Sequence, residues 1–227
     1  MLSRAHIAAF AAALWLAGTA ASGMCAEHEG HADHSFGDAQ KWAQVFDNPA
    51  RDAWQKPHEV IGALKLAPDA VVADIGAGTG YFAARFAHML DKGRVYAIDL
   101  EPDMVKYLDE RAKREKLANL IPVLGAADNP NIPAPVDLVI LVDVYHHIGE
   151  RERYFGKLRD ILKPGGRLAI IDFRMDAASG PDKAMRIAPD RVKSELAKAG
   201  YTFSGEHRFL PRQYFLVFKA AAAHTPK

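Results

Sequence analysis

Cysteine is nearly absent from this chain of 227 residues, since Cys25 is the only one. One thiol cannot form an intrachain disulfide or a thiolate cluster for a metal. A surplus of charge is also missing, because 29 basic residues face 28 acidic ones. Phosphate backbones are bound by clustered Lys and Arg. The balance therefore excludes a sequence-wide basic surface, and we predict no nucleic-acid partner.

Long uncharged runs are rare, and the longest lies at the start of the chain. From Ile7 to Ala26 no side chain is charged, and small residues follow the most apolar part. This layout is typical of a secretory signal peptide. The alternatives are an uncleaved membrane anchor, which the prevalence of alanine disfavours, and lipid attachment at Cys25, which Met24 disfavours. Residues 1–26 are thus predicted to direct export of the protein to the periplasm. The protein would contact a membrane only if this N-terminal segment stayed uncleaved.

Residues 27–40 are polar and contain a histidine at every third position, His28, His31 and His34. Three imidazoles on one helical face could hold a divalent cation. Gly30 and the lack of an apolar stripe argue against a stable helix. We therefore interpret residues 27–40 as a His-rich linker and predict no metal site.

The rest of the chain, 49% hydrophobic and 25% charged overall, has the composition of a globular domain. Apolar strands alternate with helices of ten or more residues over 67–200, which is typical of parallel βαβ units. Two last strands, near 201–209 and 213–219, have no helix between them. The pattern predicts an α/β fold, a doubly wound and mostly parallel seven-stranded sheet with a C-terminal antiparallel hairpin. The helical stretch at 41–66 is predicted to form a lid.

The most informative segment is a glycine loop that follows the first strand, with Gly76, Gly78 and Gly80 leading into a helix. Such a loop lets a ligand approach the backbone and the amides of the helix N-terminus. Asp99 ends the next strand, at the distance where an acid binds ribose hydroxyls. The pattern indicates an adenosine-containing cofactor, which could be a nicotinamide dinucleotide. Asp74 argues against the dinucleotide, because a carboxylate beside the loop would repel a pyrophosphate and attract a cationic group.

The motif Asp74-x-Gly76-x-Gly78-x-Gly80 resembles the first motif of class I S-adenosylmethionine-dependent methyltransferases. Further stretches are similar to the later motifs of that family and come in the family's order: Asp99, GAAD at 125–128, VDLVILVDVYHH at 136–147 and LKPGGRLAIIDF at 162–173. The resemblance covers about residues 57–219, and makes 67–227 the methyltransferase domain. More narrowly, the chain resembles an exported or membrane-associated bacterial group of unassigned substrate.

This resemblance implies S-adenosylmethionine as the cofactor and assigns parts of it to residues. Asp74 and the loop of Gly76, Gly78 and Gly80 would hold the methionine end, and Asp99 the ribose. Asp128 would contact the adenine, although the following Asn-Pro could make it a turn residue. Leu100 and Ala127 would line the adenine slot, unless they merely pack.

Candidate catalytic residues follow the fourth strand, at the carboxyl edge where open α/β sheets bind ligands. We predict His146 as a general base, with Asp143 and Tyr145 shaping the pocket. His147 is the competing histidine, because alternation would point only one of the two rings into the site. The enzyme could also rely on positioning alone.

A small molecule is the predicted substrate. The chain lacks the Asn/Asp-Pro-Pro-aromatic tetrapeptide of enzymes that methylate DNA amino groups, and arsenite methylation needs more cysteines than Cys25. Two other functions stay open: an exported cofactor- or metal-binding protein of the same fold without turnover, and an NAD-dependent oxidoreductase. An exported enzyme would lack an obvious supply of S-adenosylmethionine, which is why the binding protein is considered.

The leader analysis predicts that the mature protein begins between residues 21 and 26. Signal peptidases cut after small residues, and such residues surround Gly23. N-terminal sequencing of the protein purified from its native host measures the start. A soluble cytosolic form that begins at Met1 would contradict export.

Overall fold

A computed structural model describes residues 38–221, which contain one seven-stranded sheet. The strand order is β3-β2-β1-β4-β5-β7-β6. The strands are β1 (Val71–Ile75), β2 (Arg94–Asp99), β3 (Leu120–Leu124), β4 (Val136–Val142), β5 (Leu162–Phe173), β6 (Tyr201–His207) and β7 (Gln213–Ala220). The helices are α1 (Ala39–Phe46), α2 (Asp52–Gln55), α3 (Pro57–Leu64), α4 (Ala83–Met89), α5 (Pro102–Glu115), α6 (Arg151–Arg159) and α7 (Pro189–Lys198).

Strands β1 to β5 pair in parallel, whereas β7 pairs antiparallel with both β5 and β6. The predicted doubly wound sheet with a C-terminal antiparallel hairpin is thereby confirmed. The strand order reverses between β1 and β4, because β2 and β3 lie on one side of β1 and the later strands lie on the other. Ligands of open α/β sheets bind in the crevice at such a reversal.

The two faces of the sheet bury separate apolar cores because successive side chains of a strand point to opposite faces. Leu138 and Ile140 of β4 pack into the core that includes α3 and α4, while Val139 and Leu141 pack into the core that includes α6 and α7. Burial on both faces explains why this strand is apolar without alternation.

The main departure from the predicted elements lies before β5. Pro-Gly-Gly at 164–166 favours a turn before the strand, but helix α6 ends at Arg159 and β5 already begins at Leu162, so these residues belong to the strand. Gly165 has a φ of 80°, and the register of β4 against β5 shifts between Val136 and Leu138. The glycines thus make an irregularity within paired strands, because the backbone hydrogen bonds of β4 outweigh the local preference for a turn.

The N-terminal helices α1 to α3 match the predicted helical stretch at 41–66, with a short 3₁₀ turn at Pro49–Arg51 between α1 and α2. Asp38 caps α1, since its side chain accepts a hydrogen bond from the backbone N–H of Lys41 at 3.1 Å. Among the described residues, no helix has the length and apolarity needed to cross a bilayer. The predicted leader and nearly all of the His-rich linker, including His28, His31 and His34, lie outside the described residues.

Candidate functional site

The glycine loop turns tightly after β1, with φ angles of 71°, 56° and 89° at Gly76, Gly78 and Gly80. The N–H groups of Gly76 and Ala77 both donate to the carbonyl of Ile98, at 2.8 and 2.9 Å. A Cβ at Gly76 would collide with the side chain of Val144. The loop is therefore fastened to β2 and packed against the chain that follows β4, in a backbone conformation that suits glycine.

Asp74 is 3% exposed at the end of β1. Its carboxylate accepts a hydrogen bond from the backbone N–H of Ala83. Burial raises the pKa of Asp74 to about 7, and the negative charge of Asp99 adds to the rise, while Arg51 opposes it. A buried carboxyl with this balance is stabilised by an additional positive charge.

Asp99 joins the second strand to the glycine loop. One carboxylate oxygen accepts from the N–H of Gly78 at 2.8 Å, and the other accepts from the N–H of Glu101 at 3.0 Å. Burial also raises the pKa of Asp99. A carboxylate has about four acceptor sites, so Asp99 retains lone pairs for the hydroxyl groups of a ligand.

The residues predicted for the adenine end lie at the surface. Leu100 is 55% exposed, and Ala127 is exposed within a turn that the bridge between Ala126 and Asn129 closes. The side chain of Asp128 is 70% exposed and forms an ion pair with Lys157 at 3.1 Å. Their contact with adenine stays a prediction.

Asp143 has a φ of 59° directly after β4. Its carboxylate accepts hydrogen bonds from Gln55 Nε2 at 3.1 Å and from Gln213 Nε2 at 2.5 Å. Burial, followed by the charge of Asp172, raises the pKa of Asp143 to about 7, while Arg51 and His146 lower it. Asp143 thus lies at the meeting point of β4, the helical segment and the start of β7.

His146 is buried and its ring is held by a carboxylate that the sequence analysis missed, that of Asp172 at the end of β5. The distances from His146 Nδ1 to both Asp172 oxygens are 2.9 Å. Asp172 also accepts from the backbone N–H groups of His146 and Phe173, at 3.2 and 2.7 Å. The one signal for Asp172 was an acid that directly follows the apolar run at 168–171 near the end of β5.

The other two candidates after β4 are placed differently. Tyr145 is fully buried, its hydroxyl donates to Glu195 of α7 at 2.8 Å, and its ring stacks on Phe155 of α6. These contacts tie Tyr145 to the core under α6 and α7 and account for its burial without a ligand. His147 is exposed, with its ring centroid 4.1 Å from that of His146.

The helical segment 39–55 covers the glycine loop mainly through polar contacts that the sequence analysis did not single out. A Cβ at Gly78 would lie 3.3 Å from the ring of Phe46. Asp47 accepts from Thr79 Oγ1 at 3.1 Å and pairs with Arg111 at 3.0 Å. Asp52 accepts a hydrogen bond from the hydroxyl of Tyr81, the aromatic residue that follows the loop.

Arg51 lies among these contacts. Its guanidinium carbon is 4.2 Å from the ring centroid of Tyr81, and it donates to Gln55 Oε1 at 2.6 Å and to the carbonyl of Phe46 at 2.7 Å. Burial lowers the pKa of Arg51. The segment therefore brings one cation to an edge that holds four buried or half-buried carboxylates: Asp74, Asp99, Asp143 and Asp172.

The comparisons with known proteins agree with this geometry. Residues 72–166 match a family described as "Methyltransferase domain". Those residues are therefore similar to a methyltransferase domain, and the sheet around them has the fold of the class I, S-adenosylmethionine-dependent type. Its solved counterparts include a SAM-dependent methyltransferase from Aquifex aeolicus, which is 26% identical with a TM-score of 0.73, over 80% of this chain and 97% of that one.

Curated relatives of the methyltransferase domain include enzymes of different substrates. Sarcosine/dimethylglycine N-methyltransferase of Halorhodospira halochloris is 29% identical over 74% of this chain and 66% of its own length. Arsenite methyltransferase of Halobacterium salinarum is 29% identical over 60% of this chain and 38% of its own length. The chain thus spans less than two thirds of either relative.

S-adenosylmethionine is the cofactor of this domain, and the residues present fit it. The cofactor carries a positive sulfonium and an amino group, and the buried Asp74 is a carboxylate stabilised by added positive charge. The N–H of Gly78 donates to Asp99, and the remaining lone pairs of this carboxylate suit ribose hydroxyls. A dinucleotide pyrophosphate would be repelled by Asp74, which disfavours the NAD-dependent alternative. In residues 38–221 no group of three or more His, Cys, Asp or Glu could hold a metal ion.

Replacing Asp74 by Asn should raise the stability of the cofactor-free protein more at high pH than at low pH. The folded-state pKa of about 7 lies above the ordinary value of 3.8. The ionised carboxylate therefore does not lower the free energy of unfolding below pH 3.8, and lowers it increasingly as pH rises to about 7. The advantage of the variant should grow by up to about 3 kcal/mol from pH 5 to pH 8, at roughly 1.4 kcal/mol per pH unit.

Thermal unfolding of both proteins at the two pH values measures this difference. Asp160→Asn, which makes the same change at a side chain 74% exposed, serves as the control and should show no such growth. A difference between Asp74→Asn and wild type that stays constant across pH would contradict the buried, uncompensated carboxyl.

Proposed function

We propose that this protein transfers a methyl group from S-adenosylmethionine to a small-molecule acceptor bound beside the ends of β4 and β5. The observation that carries the proposal is the His146–Asp172 pair, buried at the same sheet edge as the cofactor residues Asp74 and Asp99. When bound, the cofactor supplies an activated methyl group on its sulfonium. The protein must then place a nucleophile in line with it and remove a proton where needed.

The contacts of His146 suit it to that proton transfer. An ionised Asp172 can only accept hydrogen bonds, so Nδ1 of His146 carries the proton and Nε2 keeps its lone pair. Two backbone N–H donors hold the Asp172 carboxylate in place. His146 therefore acts as the general base, and Asp172 is a positioning residue for it. We assign no role in the reaction to Tyr145, whose hydroxyl is committed to Glu195.

A small acceptor is supported by the way the site is covered. Residues 41–66 act as the lid in this proposal, because Phe46 and Asp47 lie on the glycine loop and Gln55 reaches Asp143. A lid excludes water and large substrates alike. The neutral charge balance gives no reason to expect a nucleic acid, and the lone Cys25 disfavours arsenite.

Export completes the proposal. The uncharged leader before residue 26 supports a periplasmic protein, and the adenine contacts would come from Leu100, Ala127 and Asp128 at the exposed end of the crevice. The alternative, a binding protein of the same fold without turnover, predicts cofactor binding and no product.

Asp99→Ala should weaken binding of S-adenosylmethionine about tenfold or more. Hydrogen bonds to a charged group contribute roughly 1.5–3 kcal/mol each, and this carboxylate also holds Gly78. Isothermal titration calorimetry of the mature protein measures the affinity, with NAD titrated in parallel and expected to bind far more weakly. Asp160→Ala controls for the loss of a surface carboxylate. An unchanged affinity in Asp99→Ala would remove Asp99 from the site.

His146→Ala should lower the turnover of an acceptor found by screening with labelled S-adenosylmethionine by about 10²–10⁴, the usual contribution of a general base. Cofactor affinity should be retained, because His146 lies beyond the glycine loop. His147→Ala, the exposed neighbour, is the matched control and should keep its rate. Equal rates in both variants would mean that the enzyme works by positioning alone.

A further inference from the structure

Gln213, the first residue of β7, carries a buried acceptor that the described part of the chain leaves unsatisfied. The residue is 1% exposed, and among residues 38–221 its Oε1 has no hydrogen-bond partner. The amide orientation is set by chemistry, because Nε2 donates to Asp143 at 2.5 Å and a flip would place two oxygens against each other. A buried acceptor without a donor costs about 1–3 kcal/mol, so an incoming donor is favoured here.

The carboxylate beside Gln213 has acceptor sites to spare as well. Asp143 takes one N–H from Gln213 and one from Gln55, out of about four that a carboxylate accepts. Both of these donors are neutral amides. The guanidinium of Arg51 faces the same region but donates to Gln55 and to the carbonyl of Phe46 instead.

The negative charge of Asp143 is not balanced by the groups that the structure describes around it. Arg51 and His146 lower the pKa of Asp143, but burial and the charge of Asp172 raise it more, so the net shift is upward. A hydroxyl group offers one hydrogen and no charge, and a carboxylate or phosphate would be repelled. A protonated amine offers two or three N–H donors and the missing positive charge.

We propose that the methyl acceptor is a primary or secondary amine, bound as its ammonium ion by the carboxylate of Asp143 and the free Oε1 of Gln213. This inference rests on the proposed methyl transfer and names its substrate class. It makes the protein an N-methyltransferase and gives Asp143 the role of a substrate-binding residue.

The reaction balances with the groups at this edge. The ammonium nitrogen gives one proton to Nε2 of His146 and so regains a lone pair. That lone pair forms the new N–C bond to the methyl carbon as the C–S bond breaks, and the C–S electron pair stays on sulfur. The product is the N-methylated ammonium ion, and the proton on His146 passes to water.

The test uses the mature protein saturated with S-adenosylhomocysteine and titrates three ammonium probes, methylammonium, ethylammonium and benzylammonium, by calorimetry. Methanol, ethanol and benzyl alcohol are the matched neutral probes. We expect the ammonium probes to bind in preference to their alcohols. Asp143→Asn should lower their affinity at least tenfold more than it lowers the affinity for S-adenosylhomocysteine, whereas Asp160→Asn should change neither. With S-adenosylmethionine instead, mass spectrometry should find the N-methylated probes.

The outcomes separate the two proposals. The amine site would be overturned if the alcohols bound as well as the ammonium ions. It would also be overturned if Asp143→Asn left ammonium binding intact, and water alone would then satisfy Gln213. Failure of the wild type to bind S-adenosylhomocysteine and S-adenosylmethionine would overturn the proposed function instead. If Asp143→Asn does not fold, Gln213→Met carries the same comparison, because it keeps the side-chain length and removes both the free acceptor and the donor to Asp143.

Discussion

Uncompensated negative charge at one edge of a parallel sheet is the constraint on which the site depends. Asp74, Asp99, Asp143 and Asp172 all come at or just after the carboxyl ends of strands, where the backbone leaves the sheet and side chains face the crevice. Burial raises the pKa of Asp74, Asp99 and Asp143, because it makes their ionised forms costly. The chain meets much of this cost with backbone N–H groups and side-chain amides, which leave positive charge to be supplied by a ligand. A cationic cofactor and a cationic acceptor answer the same requirement.

The helical segment 39–55 covers this edge of the sheet and contacts it through polar groups. Its contacts with the domain include ion pairs whose side chains are partly exposed, such as Asp47 with Arg111 and Asp52 with Arg85. Polar contacts that are partly open to water contribute little each. Breaking these ion pairs costs less than separating a strand from the sheet, which suits the lid proposed for this segment.

The fold and the cofactor half of the site could be predicted because their signals are local. The strand–glycine–helix sequence around Gly76 predicts a tight turn from neighbouring residues alone. Asp99 ends the next strand of the same βαβ unit, so its position relative to the loop also follows from the sequence. The acceptor half could not be predicted in this way. Asp172 contacts His146 although 26 positions separate them in the chain, and Gln213 contacts Asp143 although 70 positions do. The pattern of residues within either segment does not predict these contacts. Tyr145 is a case in which position misled: its place after β4 indicated the pocket, but its side chain packs into the core under α6 and α7 and donates to Glu195.

The sequence by itself determined the class of fold, the order of its elements and the cofactor, because periodicity, glycine placement and acid spacing act within a few turns of chain. Only the tertiary structure decided which of two adjacent histidines is held by a carboxylate, and which glutamines flank Asp143. Those choices depend on how β4, β5 and β7 align side by side. Strand register is set by the packing of the whole sheet, and a residue's own neighbours in the chain do not specify it.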